Sequence, residues 1–177
     1  ENLRARCDSG KRVPDLVRHA GREPAETALH FAYSFAAQGV VVAVDEKNRV
    51  EVLRVVAASD VGRPINPQGI LGQVEGGIVM GMGYGLSEEF RLEGGRPVTD
   101  RFGKLGLPRI VQMPEMISIT VTDPHPDGPF GAKGMGELPL SPTAAAIANA
   151  IYDAVGVRVT SLPITPAKIA AARGGQE

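Results

Sequence analysis

An α+β fold, a mixed sheet with packed helices, is what the 177-residue sequence predicts, and three observations carry the prediction. A β-branched run at Val40–Val44 resumes, past a turn cluster, at Arg49–Val56. Met116–Thr122 alternates apolar and polar residues. Two helical stretches follow cap-then-proline starts, one glycine-rich from Pro67 to Leu86 and one alanine-rich from Ala144 to Val155. The length allows one domain with a sizeable core, and 43% hydrophobic residues is ordinary for a globular chain. The 22 glycines and 14 prolines show no collagen-like period, so they predict long ordered loops and close backbone contacts. Loops of that kind usually serve a site.

Residues 1–24 mix Arg4, Arg6, Lys11, Arg12, Arg18 and Arg22 with acids and few apolar anchors. They read as a basic surface extension, a solvated arm or a docking strip. Its acids argue against a transit peptide. Residues 25–177 form the domain proper. In the hairpin, Asp45-Glu46-Lys47-Asn48 is the turn, and the first strand, apolar on both faces, is expected inside a sheet covered on both sides. Asn66 is the predicted N-cap of the glycine-rich helix, with Pro67 its first residue.

That helix carries Gly69, Gly72, Gly76, Gly77, Gly81, Gly83 and Gly85, each costing up to about 1 kcal/mol against alanine. The small-xxx-small spacing suits a membrane helix pair, but Gln73 and Glu75 interrupt the apolar run, so no membrane span is expected. The better account is a buried helix whose glycine ridges let backbone or a flat ligand lie close to its axis. Residues 91–109 read as a polar loop with a Gly94-Gly95 turn. Ser141 is the expected N-cap of the alanine-rich helix, Ile147, Ile151 and Val155 its apolar stripe and Gly156 its stop, and Thr165-Pro166 opens a short last helix.

A net charge of −1, no Trp, three Tyr and five Phe exclude a nucleic-acid partner. Cys7 alone forbids an internal disulfide, an iron–sulfur cluster or a thiolate zinc site made by this chain, and points to the cytoplasm. His19, His30 and His125 have no ligand spacing, so no protein-ligated metal is expected.

The most unusual stretch is Gly131-Ala132-Lys133-Gly134-Met135-Gly136-Glu137, closed by Leu138-Pro139. It is not a P-loop, because Lys133 is followed by Gly134 and Met135. Nor is it a dinucleotide fingerprint, because it leaves a turn-rich Asp123–Pro129 segment rather than a strand. Its glycines let main-chain N–H groups approach a bulky ligand. Glu137, flanked by Met135, Leu138 and Leu140, is expected to lose hydration, which would raise its pKa into the range of a general base or acid, with Lys133 opposing that shift if close. A structural role, pairing with an arginine or capping a backbone N–H, is equally open. For Gln73, a ligand contact and a core amide satisfied by backbone stand side by side.

Three blocks resemble the C-terminal part of the molybdenum hydroxylases, the xanthine dehydrogenase and aldehyde oxidase family. They are Asp60-Val61-Gly62-Arg63-x-Ile65-Asn66-Pro67; Gly72-Gln73-Val74-Glu75-Gly76-Gly77 with Gly81-x-Gly83 and Glu88-Glu89; and Gly131-x-Lys133-Gly134-x-Gly136-Glu137 with Leu162-Pro163-x-Thr165-Pro166. The resemblance implies the C-terminal portion of a molybdopterin-binding domain. Its cofactor is molybdopterin with molybdenum, in the cytosine dinucleotide form usual in bacteria, held by the pterin dithiolene. It places the family's active-site glutamate on Glu137, a pterin contact on Gln73 beside Gly72, and the loop backbone of Lys133, Gly134, Met135 and Gly136 next to the cofactor. In the family's mechanism the glutamate takes a proton from a hydroxyl on the metal, and the oxygen goes to an electron-poor carbon while hydride leaves it.

Ser59 stands where many members have His, Met80 replaces a frequent Gln, and Leu105-Gly106-Leu107-Pro108 with Gln112 replaces a Tyr-x-Ile/Leu-Pro segment followed by Asp. With Pro126-x-Gly128-Pro129-Phe130-Gly131, this resembles the bacterial purine or xanthine hydroxylase branch. An aldehyde oxidase subunit and a non-catalytic assembly module are the alternatives. The family's first molybdopterin half and its Fe–S and FAD modules have no counterpart here, so those segments are the implied partners, together with a small-molecule substrate, and the chain alone is expected to be inactive.

Overall fold

The computed structural model describes residues 33–126 and 129–175; the expected extension over residues 1–24 lies outside them, as do Cys7, His19 and His30. Strand β1 (Ala36–Val44) and strand β2 (Val50–Asp60) form the expected hairpin. Asp45 holds its turn, its Oδ1 accepting from the Lys47 and Arg49 N–H groups at 3.0 and 2.7 Å, while Asn48 takes a positive φ of 58°. Helix α1 (Pro67–Leu86) starts as the sequence predicts, with the Asn66 side chain accepting from the Gly69 N–H at 3.0 Å and Pro67 in its first turn. Two short strands, β3 (Leu92–Glu93) and β4 (Arg96–Pro97), turn on Gly94-Gly95, and a short helix α2 (Phe102–Leu105) ends at Gly106 with φ 78°. Strand β5 (Glu115–Val121), helix α3 (Thr143–Val155) and helix α4 (Pro166–Gly174) complete the order. Gly156 stops α3 at φ 76°, and the Thr165 hydroxyl caps α4 by accepting from the Lys168 N–H at 3.4 Å.

The sheet runs β1-β2-β5, with β1 antiparallel and β5 parallel to β2. The sheet is therefore mixed, as expected, and residues 61–114, α1 among them, form the crossover that parallel pairing requires. The core joins Val52, Val55 and Ala57 of β2 to Val74, Ile78 and Met82 of α1, to Ile147 and Ile151 of α3, and to Val157, Ile164 and Ile169. Full burial of Val74, Ile78 and Met82, each worth roughly 1.5–3 kcal/mol, offsets the glycine cost of α1.

Two expectations are corrected here. Among the described residues β1 is an edge strand that alternates half-buried and exposed positions, with Val41 52% exposed. The centre belongs to β2, and α3 packs on β1 from one side, so Val41, Ile117 and Ile119 face outward. Helix α1 is buried on one side only. Val74, Ile78 and Met82 face the core, and Gly77, Gly81 and Gly85, spaced by four, admit Pro139, Thr143 and Ala144. Gly69, Gly72, Gln73, Gly76 and Met80 lie on the exposed face.

Candidate active site

The glycine loop is zipped to the chain that leaves β2. Gly62 and Ala132 form an isolated antiparallel bridge, the Arg63 N–H donates to the Gly131 carbonyl at 2.8 Å, and the Lys133 N–H donates to the Val61 carbonyl at 3.0 Å. Gly62 has φ 63°, and a side-chain carbon on it would collide with the Gly131 carbonyl oxygen, so only glycine allows this approach. An ion pair reinforces the bridge: Lys133 Nζ lies 2.6 Å from Asp60 Oδ2, both side chains being under a tenth exposed, and 3.1 Å from Asp123 Oδ2. Asp60 Oδ1 also accepts from the Gly62 N–H at 2.9 Å. Burial pushes the Asp60 carboxyl upward, but the Lys133 ammonium and the Gly62 N–H outweigh it and hold it below the usual aspartate value. The hydrogen bond to Asp60 raises the Lys133 ammonium against the effect of burial, and Asp123 adds to that.

The far end of the loop is held by side chains of β1 and α3. Gln38 Nε2 donates to the Pro139 carbonyl at 2.7 Å, and the Thr143 hydroxyl lies 2.8 Å from Gln38 Oε1 and 3.0 Å from the same carbonyl. Ser34 Oγ donates to the Gly134 carbonyl at 2.7 Å. Ser141 is not the N-cap of α3: that place is taken by Pro142, without a side-chain cap, and the Ser141 hydroxyl turns back to the Glu137 carbonyl at 3.4 Å. A tight turn through Leu138–Ser141 brings this hydroxyl into reach, closed by the Leu140 N–H on the Glu137 carbonyl at 3.2 Å.

Between these anchors lies a recess of about 140 Å³, walled by Gly72, Gln73, Gly76 and Met80 of α1 and by Gly136, Glu137 and Leu140 of the loop. Gln73 also borders a second recess of about 310 Å³, whose wall includes Val61, Arg63, Asn66, Lys133 and Met135. Side-chain carbons built on Gly72, Gly76, Gly134 and Gly136 would meet nothing within 4 Å. Among the described residues neither packing nor a positive φ explains those four glycines; what they leave there is bare backbone in front of open space. One amide, one carboxylate and main-chain groups offer a mix of donors and acceptors suited to hydrogen-bonding a large heterocycle.

The sequence-derived residues Gln73 and Glu137 therefore meet at one recess, with Gly72 and Gly136 beside them. Gly134 and Met135 stand at the loop, Met135 half-buried against the core. Gln73 is exposed rather than buried and makes no hydrogen bond among the described residues, so the core-amide alternative falls away. Glu137 is also exposed, and its carboxylate has no ion-pair or capping partner among the described residues. The loss of hydration expected for it is not supplied by the described residues, because α1 stands on one side of the loop and among them the other side is open. The ammonium of Lys133 is turned to Asp60 and Asp123 and its N–H donates to the Val61 carbonyl, so its charge is paired with those carboxylates and not with Glu137.

Asp60, Gln38 and Thr143 were not singled out from the sequence as site-building residues. Gln38 carried a readable signal, being the only polar side chain in the strand Ala36–Val44. The Asp60 pairing had none, since its partner lies 73 residues away.

The molybdopterin cofactor-binding domain family matches over residues 12–114. The γ subunit of the 6-hydroxypseudooxynicotine dehydrogenase complex of Paenarthrobacter nicotinovorans is 43% identical over 122 residues, covering 67% of this chain and 15% of that protein. A probable xanthine dehydrogenase subunit of Bacillus subtilis (strain 168) is 36% identical over 137 residues, covering 77% of this chain and 18% of that protein. Among solved structures, the aldehyde oxidoreductase of Desulfovibrio desulfuricans ATCC 27774 superposes with a TM-score of 0.76 at 30% identity, covering 90% of this chain and 19% of its own. This chain thus spans less than a fifth of the length of each of these relatives. From the profile match over more than half of its residues and the likeness to these proteins, the chain belongs to the molybdopterin cofactor-binding domain family of the xanthine dehydrogenase and aldehyde oxidoreductase group.

Proposed function

We propose that this chain forms part of the cofactor wall, and carries the general base, of a cytoplasmic molybdenum hydroxylase that oxidises a purine such as xanthine, or a related N-heterocycle, with oxygen drawn from water. The observation that carries the reading is the convergence of Gln73 and Glu137, an amide and a carboxylate without partners among the described residues and from segments far apart in sequence, on one glycine-walled recess. Gly72, Gly76, Gly134 and Gly136 leave the room that a flat pterin needs against backbone. Gln73 would hold it through an amide that both donates and accepts, aided by main-chain groups of Gly134–Gly136. When bound, molybdopterin, here in its cytosine dinucleotide form, supplies the two-electron oxidation; the protein supplies binding, orientation and a base.

In this reading a Glu137 carboxylate oxygen accepts the proton released as water-derived oxygen is transferred to substrate. Water is excluded from that carboxylate by the remaining molybdopterin-binding segment, since the described residues leave it exposed. Fe–S and FAD subunits or domains carry the electrons away. The substrate class is supported by the loop variation around Leu105–Pro108 and by the xanthine dehydrogenase and 6-hydroxypseudooxynicotine dehydrogenase relatives.

The test is Glu137→Gln in the assembled enzyme. Molybdenum and pterin content should stay intact while kcat falls by about 10²–10⁴-fold, the usual contribution of a positioned base. Near-normal turnover would overturn the assignment. Steady-state assays against xanthine, hypoxanthine, nicotinate and an aromatic aldehyde test the substrate class, and a preference for the aldehyde would replace it.

A further inference from the structure

We propose that the Asp60–Lys133 ion pair is the positioning device for Glu137, so that the Asp-Val-Gly block and the glycine loop work as one unit. This rests on the reading of Glu137 as the base.

The carboxylate of Glu137 makes no hydrogen bond or ion pair of its own among the described residues, and on its N-terminal side Gly134 and Gly136 bring no side chain, so that only Met135 between them packs on the core. Its place is therefore inherited from the backbone anchors on either side. The downstream anchor is the Pro139 carbonyl, held by Gln38 and Thr143. The upstream anchor is Lys133. Its side chain is 5% exposed and that of Asp60 8%, with 2.6 Å between Nζ and Oδ2. Asp123 touches the same ammonium at 3.1 Å but is 76% exposed, so solvent screens it and Asp60 is the partner that fixes the lysine.

The second oxygen of Asp60 binds the Gly62 N–H, at the residue bridged to Ala132. One carboxylate thus fastens the exit of β2 to the loop through both a side chain and the backbone. With that fastening removed, the run from Lys133 to Glu137 keeps the Lys133 N–H bond to Val61, the Ser34 bond to the Gly134 carbonyl, the packing of Met135 and the anchor at Pro139, but loses the buried side-chain contact that fixes its upstream end. A misplacement of about 1 Å is enough to cost on the order of 10²-fold in rate.

The double variant Asp60→Asn/Lys133→Met in the assembled enzyme tests this. It removes both charges together, so no buried charge is left unpaired, and the amide keeps an oxygen for the Gly62 N–H. Pterin and molybdenum content should be unchanged, KM should stay within about twofold, kcat should fall by about 10–100-fold, and amide hydrogen exchange over residues 133–137 should quicken. Added to Glu137→Gln, the double variant should lower kcat no further, because the pair acts only through that carboxylate.

Unchanged kcat, or an equal fall in the Glu137→Gln background, overturns the proposal. So does a loss of pterin content, which would make Lys133 a cofactor contact instead. If the double variant does not assemble, Lys133→Arg keeps the charge and changes the geometry: lowered kcat at constant KM and content supports the proposal, and wild-type kcat rejects it. Normal turnover in Glu137→Gln alone would sink the base assignment, while the exchange rates over 133–137 would still show whether the pair anchors the loop.

Discussion

Pro139 lies against the bare backbone of Gly77: its Cβ is 2.8 Å from where a side-chain carbon on that glycine would stand. The loop that carries Glu137 can close on α1 only because that position has no side chain. The open glycines Gly72 and Gly76, five residues and one residue earlier on the same helix, have nothing in front of them. Gly77→Ala should therefore lower stability by about 1–3 kcal/mol through overpacking, whereas Gly72→Ala should raise it by up to about 1 kcal/mol through helix propensity. In the assembled enzyme Gly72→Ala should also reduce pterin content. Denaturant unfolding and molybdenum analysis of the two variants check the contrast.

Gln73 makes no hydrogen bond among the described residues and is exposed, so nothing in the fold depends on its amide. Gln73→Ala should leave the melting temperature of the assembled protein without cofactor unchanged. Losing a hydrogen bond of about 0.5–1.5 kcal/mol should weaken pterin retention by up to about tenfold. A measured drop in stability of the cofactor-free protein would show that the side chain has a structural task.

The Asp60–Lys133 pair predicts the pH limits of the loop's stability. Because the folded Asp60 carboxyl is held below its ordinary value of 3.8, its contribution is complete above that pH and is lost as pH falls through the depressed folded value. Lys133 is raised above its ordinary 10.5, so its contribution is complete below that pH and is lost as pH rises through the raised value. Thermal unfolding followed against pH should show an acid limb that flattens in Asp60→Asn.

Ser59 is 1% exposed and its hydroxyl has no hydrogen-bond partner among the described residues. A buried hydroxyl without a partner costs about 1–3 kcal/mol relative to its solvated state. Ser59→Ala should therefore be neutral or stabilising by about 1 kcal/mol, read from the denaturation midpoint. A clear loss of stability would mean that the hydroxyl is satisfied in the assembled protein.

What the sequence made legible was local. Asn66-Pro67, Thr165-Pro166 and Gly156 mark helix ends by chemistry that acts within four residues, and each is found where expected. The hairpin turn at Asp45–Asn48 is local in the same way. Ser141 misled because Pro142 offered a plausible start for α3 while a tight turn just before it took the hydroxyl. Sheet order was not legible, since the rule that a strand apolar on both faces is central cannot tell a central strand from an edge strand whose outer face is left bare by this chain. The recess was half legible: glycine spacing and Glu137 pointed to it, but the ion pair at the start of the loop joins residues 73 apart, and only the folded chain brings them together.

The parallel pairing of β2 with β5 has a consequence for the order in which the molecule is made. The β1–β2 hairpin closes over a few residues, so it can nucleate early, but β5 reaches β2 only after residues 61–114 have been threaded across the sheet. The glycine loop comes after β5, and its bridge to Gly62 needs that strand in place. Glu137 can thus reach its position only once β5 has been made. A ribosome-bound chain stalled before β5 would hold no recess, because neither that strand nor the loop after it would yet exist.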